Sequence, residues 1–149
     1  MKKIILGGDH GGATLKNQIK ERLEKEGYTV EDMGVKDENT SVDYPVIAEK
    51  VGKAVLAQEG DCGLLFCGTG LGICIAANKV KGIRAVTCSD PFSSRMSMEH
   101  NNANILCLGG RVIGIELAWT VVEAYLKAEF QGGRHGERVN LIHQIEEKN

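Results

Sequence analysis

Five short apolar runs, each followed by a stretch of helical periodicity, constrain this chain more than any other feature. The runs are KIILG (3–7), YTVEDMG (28–34), CGLLF (62–66), IRAVT (83–87) and NILCLG (104–109). Helical stretches follow at 13–26, from Asp43 with Pro45 in the first turn, at Ile73–Lys79, after Ser89-Asp90-Pro91, and at 114–129. A last helix is expected over 138–147. In the first helix Leu15, Ile19 and Leu23 recur at i, i+4 and i+8, which lines one face. A wholly apolar run such as CGLLF suits a strand covered on both sides. Consecutive βα units imply parallel strands joined by right-handed crossovers. The expected fold is therefore α/β: a three-layer α/β/α sandwich around a Rossmann-like, five-stranded parallel sheet of order 2-1-3-4-5. The run at 28–34 alternates only in part and is expected near an edge. With 149 residues and no linker, repeat or low-complexity segment, residues 1–149 are expected to form a single domain.

In such sheets ligands bind beyond the carboxyl ends of the strands. The loops after strands one, three, four and five should then hold the chemistry, and they carry unusual residues. After the first run stands Gly7-Gly8-Asp9-His10-Gly11-Gly12, and after the third Cys67-Gly68-Thr69-Gly70-Leu71-Gly72. Ser89-Asp90 follows the fourth, whose helix ends in Glu99-His100-Asn101-Asn102, and Gly109-Gly110-Arg111 follows the fifth. Three familiar readings fail on residue identity. Gly7–Thr14 has the spacing of a phosphate loop, but Ala13 stands where the lysine belongs. Gly68-Thr69-Gly70 opens like a dinucleotide fingerprint, but Ile73 replaces the third glycine. A phospho-receiver needs an aspartate and a lysine where Cys67 and Gly109 stand.

The glycine loop at 68–72 can converge backbone N–H groups on an anion, with a helix start adding positive dipole; it can also be a tight turn and nothing more. Cys67 opens that loop. A thiol beside a helix start can become a nucleophile or base, or can simply close a buried strand. His10, His100 and His135 sit in loop-like contexts, whereas His143 is read as a surface residue. Asp9 can cap the first helix, hold a sugar hydroxyl or move a proton. Arg134 and Arg138 share a face if they lie on one helical turn, and paired guanidiniums suit a phosphate dianion. Arg111 could join them.

Five cysteines without a CxxC pair or an export signal argue against both a disulfide framework and a zinc site. No apolar run is long enough for a membrane span. A net charge of −2 argues against sequence-independent nucleic-acid binding. The expected compartment is the cytoplasm.

Together these residues resemble the type B ribose-5-phosphate isomerase family, which includes the galactose-6-phosphate isomerase subunits. The matching stretches are GGDHGG (7–12), DYP (43–45), CGTGLGICIAANK (67–79), GIRAV (82–86), HNNANIL (100–106), GGRV (109–112) and GGRHGERV (132–139). The resemblance implies an aldose–ketose isomerase without metal or cofactor, converting D-ribose 5-phosphate to D-ribulose 5-phosphate through an enediolate. It implies Cys67 as the base at C2 and His100, with Thr69 nearby, as the aid to ring opening. The backbone of Gly68, Thr69, Gly70, Leu71 and Gly72 would hold the enediolate oxygen. Asp9, His10 and Asn101 would bind the sugar, and Arg111, Arg134 and Arg138 the phosphate, with His135 a further candidate. It also implies homodimers with shared sites, the C-terminal helix reaching the partner, with or without further pairing into a dimer of dimers. Two rivals remain: an isomerase of 6-phosphohexoses such as allose or galactose 6-phosphate, and a non-catalytic sugar-phosphate binding module.

Overall fold

The computed structural model describes residues 2–149. Strands β1 (Lys3–Gly8), β2 (Thr29–Asp32), β3 (Cys62–Cys67), β4 (Ala85–Thr87) and β5 (Ile105–Gly109) alternate with helices α1 (Ala13–Lys25), α2 (Tyr44–Leu56), α3 (Leu71–Ala77), α4 (Pro91–Glu99) and α5 (Ile115–Lys127). Helix α6 (Arg134–Lys148) closes the chain and starts four residues before the expected 138. All strand pairs are parallel.

The sheet order is β2-β1-β3-β5-β4, which corrects the expected 2-1-3-4-5. β5, not β4, lies beside β3. The reason is burial. ILCLG is buried at all five positions and can stand between two strands, whereas β4 is three residues long and only partly covered, as suits an edge. β2, likewise short and half-covered, forms the other edge, as its partial alternation predicted.

The reversal of direction decides which helices share a face. With right-handed crossovers, a step one way along the sheet puts its helix on one side and a step back puts it on the other. The backward steps β1→β2 and β4→β5 place α1 and α4 together, and α5 joins them. One core cluster gathers Leu15, Ile19 and Leu23 of α1 with Val121, Val122 and Tyr125 of α5 under one sheet face. The other gathers Ile47, Val51 and Val55 of α2 with Ile73 and Ala77 of α3.

Chain direction along β1 and β3 also diverges: β1 leads out toward β2, and β3 leads the opposite way. Between their carboxyl ends lies the crevice where such sheets bind ligands. Close backbone approach makes it narrow. A side chain on Gly12, at the start of α1, would come within 2.4 Å of the Phe66 carbonyl oxygen. Beneath this crevice Lys16 is fully buried, its Nζ 2.5 Å from Asp32 Oδ2 and 3.0 Å from Asn17 Oδ1.

Candidate active site

Cys67 is the last residue of β3 and is buried. Its carbonyl accepts the Gly110 N–H at 2.8 Å, and the Gly68 carbonyl accepts the Arg111 N–H at 2.9 Å. The two glycine loops after β3 and β5 are thereby stitched together. A side chain on Gly109 would lie 2.6 Å from the Thr69 carbonyl carbon, so the loops touch at backbone level. Gly70 adopts φ +80°, which suits glycine, and turns its N–H onto Cys67 Sγ at 3.1 Å. The Thr87 hydroxyl donates to the Gly70 carbonyl at 2.6 Å and holds that turn from β4.

The loop is less open to an oxyanion than its glycines suggest. The Gly70 N–H is engaged by the thiol, and the Leu71 N–H by Thr69 Oγ1 at 3.2 Å. A ligand oxygen must compete with these short internal contacts or take the other donors of the loop. Thr69 itself is exposed, and Gly72 lies against the Tyr44 ring, which a Cβ would meet at 2.7 Å. That packing gives the DYP stretch a purpose at the site.

Across the crevice, Asp9 is buried and its Oδ1 accepts the Gly12 N–H at 3.1 Å. The first helix is capped by Gly12, so the carboxylate braces the loop preceding it. His10 Nδ1 accepts the Val42 N–H at 3.4 Å, which leaves Nε2 to carry the proton of the neutral ring. A cleft of about 500 Å³ opens beside them, lined by His10, Gly11, Gly110 and the Arg111 side chain. Its further wall comes from Thr14, Gln18, Glu38 and Asn39, which sequence reasoning did not single out. Thr14 and Gln18 stand one turn apart on α1, a spacing that could have been read. Glu38 and Asn39 follow β2, whose loop is not among the four expected to hold the chemistry. The Arg111 side chain also covers Gly68, where a Cβ would come within 3.1 Å of Nη1.

The remaining candidates stand elsewhere. α4 starts past the carboxyl end of β4 and ends just before β5, so it runs antiparallel to the strands. His100 and Asn101 therefore lie at the amino ends of the strands. Asn104, three residues on, bonds to Arg84 and Gly63 there. Cys67 pairs with Gly109, at the far end of β5 from Ile105, about 13 Å along the strand. The expectation that the residues ending the fourth helix join the strand-end loops is thus corrected within one chain. Ser89 and Asp90 do lie at the carboxyl end of β4, but Asp90 caps α4, accepting the Ser93 N–H at 2.7 Å.

At this other end His100 finds company. Its ring stacks on His135 at 4.1 Å, with planes 7° apart. Arg134 and Arg138 occupy one turn of α6 and are exposed on either side of the buried His135. Burial and the nearby charges of His100, Arg134 and Arg138 hold His135 below the ordinary imidazole range. The expected residues thus fall into two groups: a thiol, a carboxylate, a histidine and an arginine at one end, and histidines with paired arginines at the other. Among the described residues no His/Cys/Asp/Glu group is arranged to hold a metal ion.

Residues 4–142 match the ribose/galactose isomerase family. The chain belongs to that family. It is 49% identical to ribose-5-phosphate isomerase B of Escherichia coli over 99% of each chain. It is 41% identical to the D-erythrulose-4-phosphate isomerase of Pectobacterium atrosepticum, over 95% of this chain and 93% of the relative. The solved Clostridium thermocellum ribose-5-phosphate isomerase B superposes with a TM-score of 0.95 at 55% identity, covering 98% of each chain. As a ribose/galactose isomerase family member, the chain is an isomerase.

Proposed function

We propose that the chain interconverts D-ribose 5-phosphate and D-ribulose 5-phosphate, with Cys67 as the base. The observation that carries this is the thiol at the β1/β3 crevice, against a glycine loop whose Gly70 N–H turns onto it at 3.1 Å. A hydrogen α to a carbonyl is weakly acidic until the oxyanion that forms is stabilised. The thiolate takes the C2 proton of the open-chain aldose while loop N–H groups of Gly68–Gly72 receive the charge growing on O1. The enediolate then regains a proton at C1, and the ketose results. Aldose and ketose are isomers, so only protons move and no external oxidant or reductant is consumed.

Ribose 5-phosphate is mainly a ring and must first be opened. His100, with Thr69 nearby, delivers a proton to the ring oxygen as the C1 hydroxyl gives one up. Asp9, His10 and Asn101 hold the sugar. Arg111, Arg134 and Arg138 grip the phosphate, with His135 supporting His100, so that C1 and C2 stay in register with Cys67.

Since His100 and Cys67 face opposite ends of the sheet, the complete site is built between two copies, α6 of one reaching the crevice of the other. Exposed apolar residues supply surface for such pairing: Val46, Leu71 and Ile75 around the crevice, and Leu141, Ile142 and Ile145 along α6. The five free cysteines fit a reducing cytoplasm.

The test is proton exchange at C2 of ribose 5-phosphate in D₂O with a chelator present, followed by NMR beside ketose formation. The wild type should show both and Cys67→Ala neither. Binding without exchange would instead favour a sugar-phosphate binding module. A D-erythrulose-4-phosphate relative at 41% identity makes chain length the second question. Comparing kcat/KM for tetrose, pentose and hexose phosphates answers it; a clear preference for the tetrose or hexose would overturn the pentose reading.

A further inference from the structure

The stretch GIRAV carries no role in the chemistry so far, yet its Arg84 joins it to HNNANIL, which carries His100 and Asn101. Its Nε donates to the Asn102 carbonyl at 2.8 Å, and its Nη1 meets His143 Nε2 of α6 at 3.0 Å. Its backbone is held as well. The Arg84 N–H donates to Asn104 Oδ1 at 2.7 Å, and its carbonyl accepts the Asn104 N–H at 3.1 Å. Asn102 adopts φ +49°, a left-handed turn that reverses the chain directly after His100 and Asn101. Beside these contacts the Gly82 N–H donates to both Glu146 oxygens at 3.1 and 3.2 Å, a second tie to α6.

We propose that Arg84 is a positioning residue for ring opening, its guanidinium fork locking the His100–Asn101 turn and helix α6 into one unit. One arm fixes the turn that carries His100, and the other fixes the helix that carries His135, whose ring stacks on His100. Two donors diverging from one planar group can bridge two elements, and the single ammonium of a lysine does not reproduce that fork. His143 must accept from Arg84, so it is neutral at Nε2 and serves inside this unit, not as the free surface residue its sequence context suggested. Arg84 touches no reacting atom. The rest of the turn is already fastened: Tyr125 Oη donates to the Ala103 carbonyl at 2.6 Å and the Gln131 N–H to the Glu99 carbonyl at 3.0 Å. Arg84 supplies the remaining side, and its side-chain hydrogen bonds join the turn to α6 beside the His100–His135 stack.

The inference rests on the proposed role of His100, and the experiment separates the two. Ribulose 5-phosphate cannot close a furanose ring, because its O5 carries the phosphate. Deuterium uptake at its C1 therefore reports enediolate chemistry without ring opening, whereas conversion of ribose 5-phosphate needs both. The ratio of these two rates is independent of how much of a variant is folded. It is measured for the wild type, Arg84→Met, Arg84→Lys and, as the control on the reading itself, His100→Asn. His100→Asn should lower ribose 5-phosphate conversion by about 100-fold or more while exchange at C1 persists. Arg84→Met and Arg84→Lys should show the same selective loss, about tenfold. If His100→Asn is selective and the Arg84 variants keep the wild-type ratio, Arg84 is structural and the inference falls alone. A wild-type ratio in Arg84→Lys only would overturn the fork. If His100→Asn leaves the ratio unchanged, the ring-opening role falls, and the inference with it.

Discussion

The five thiols show how strongly position decides chemistry. Burial pushes Cys62 up to about 12 and Cys88 up to about 11, and holds the fully buried Cys107 well above the usual thiol range. Cys74, half-buried on α3, accepts a hydrogen bond from the Cys107 thiol and is brought down to about 6. Brief iodoacetamide treatment of the native protein at pH 7 should label Cys74 well ahead of Cys62, Cys88 and Cys107, as read by peptide mass spectrometry; equal labelling would contradict these environments. Cys67→Ala should lower turnover by about 10²–10⁴-fold, the usual worth of a positioned base, with little change in thermal stability. The placement of single residues at the crevice was legible where reactive residue type and strand-end loop coincide, as at Asp9, Cys67 and Arg111. Thr87 and Arg84 were not, because each acts on a backbone carbonyl distant in sequence, and nothing in their neighbours announces it.

At the scale of elements, the alternation of runs and helices was legible because period and apolarity mark each unit locally. The exchange of β4 and β5 was not seen, although ILCLG is wholly apolar and IRAVT carries Arg84 and Thr87. Reading burial along the two runs would have put the richer one inside. The direction of α4 was equally implicit, since a helix between parallel strands must run back, and overlooking it placed His100 with the strand-end loops. Two predictions belong here. Lys16→Met leaves Asp32 without its shortest partner beneath the crevice and should destabilise the fold by about 3 kcal/mol in urea unfolding, as for other broken buried pairs. On α6, His135 is held below the ordinary imidazole value of 6.5, so the native state disfavours its charged form. The unfolded chain then binds the proton more readily. The stability this residue contributes is complete above about 6.5 and drains away as pH falls through its lower native value. His135→Gln should therefore show a flatter melting temperature on the acid side of pH 6.5 than the wild type; parallel curves would count against it.

For the whole molecule, the decisive fact is that the chain carries its thiol at one end of the sheet and its stacked histidines at the other. Neither half predicts the other from sequence, because GGRHGERV and CGTGLG read as equal members of one motif set and only topology separates them. A mixture of Cys67→Ala and His100→Asn chains tests the shared-site reading. Random pairing makes half the dimers hybrids, each with one intact site and one carrying both changes, so activity should return to about a quarter of wild type. No recovery after remixing from denaturant would place both residues in a site made by one chain.

If the site is shared as proposed, the backward run of α4 also turns catalysis into a question of copy number. On the proposed shared site, a lone folded chain is chemically incomplete, like one blade of a pair of scissors. At high concentration each added chain works at full rate. Below the pairing constant, activity should fall with the square of protein concentration, so the first molecules made in a cell would lie idle until enough companions had accumulated.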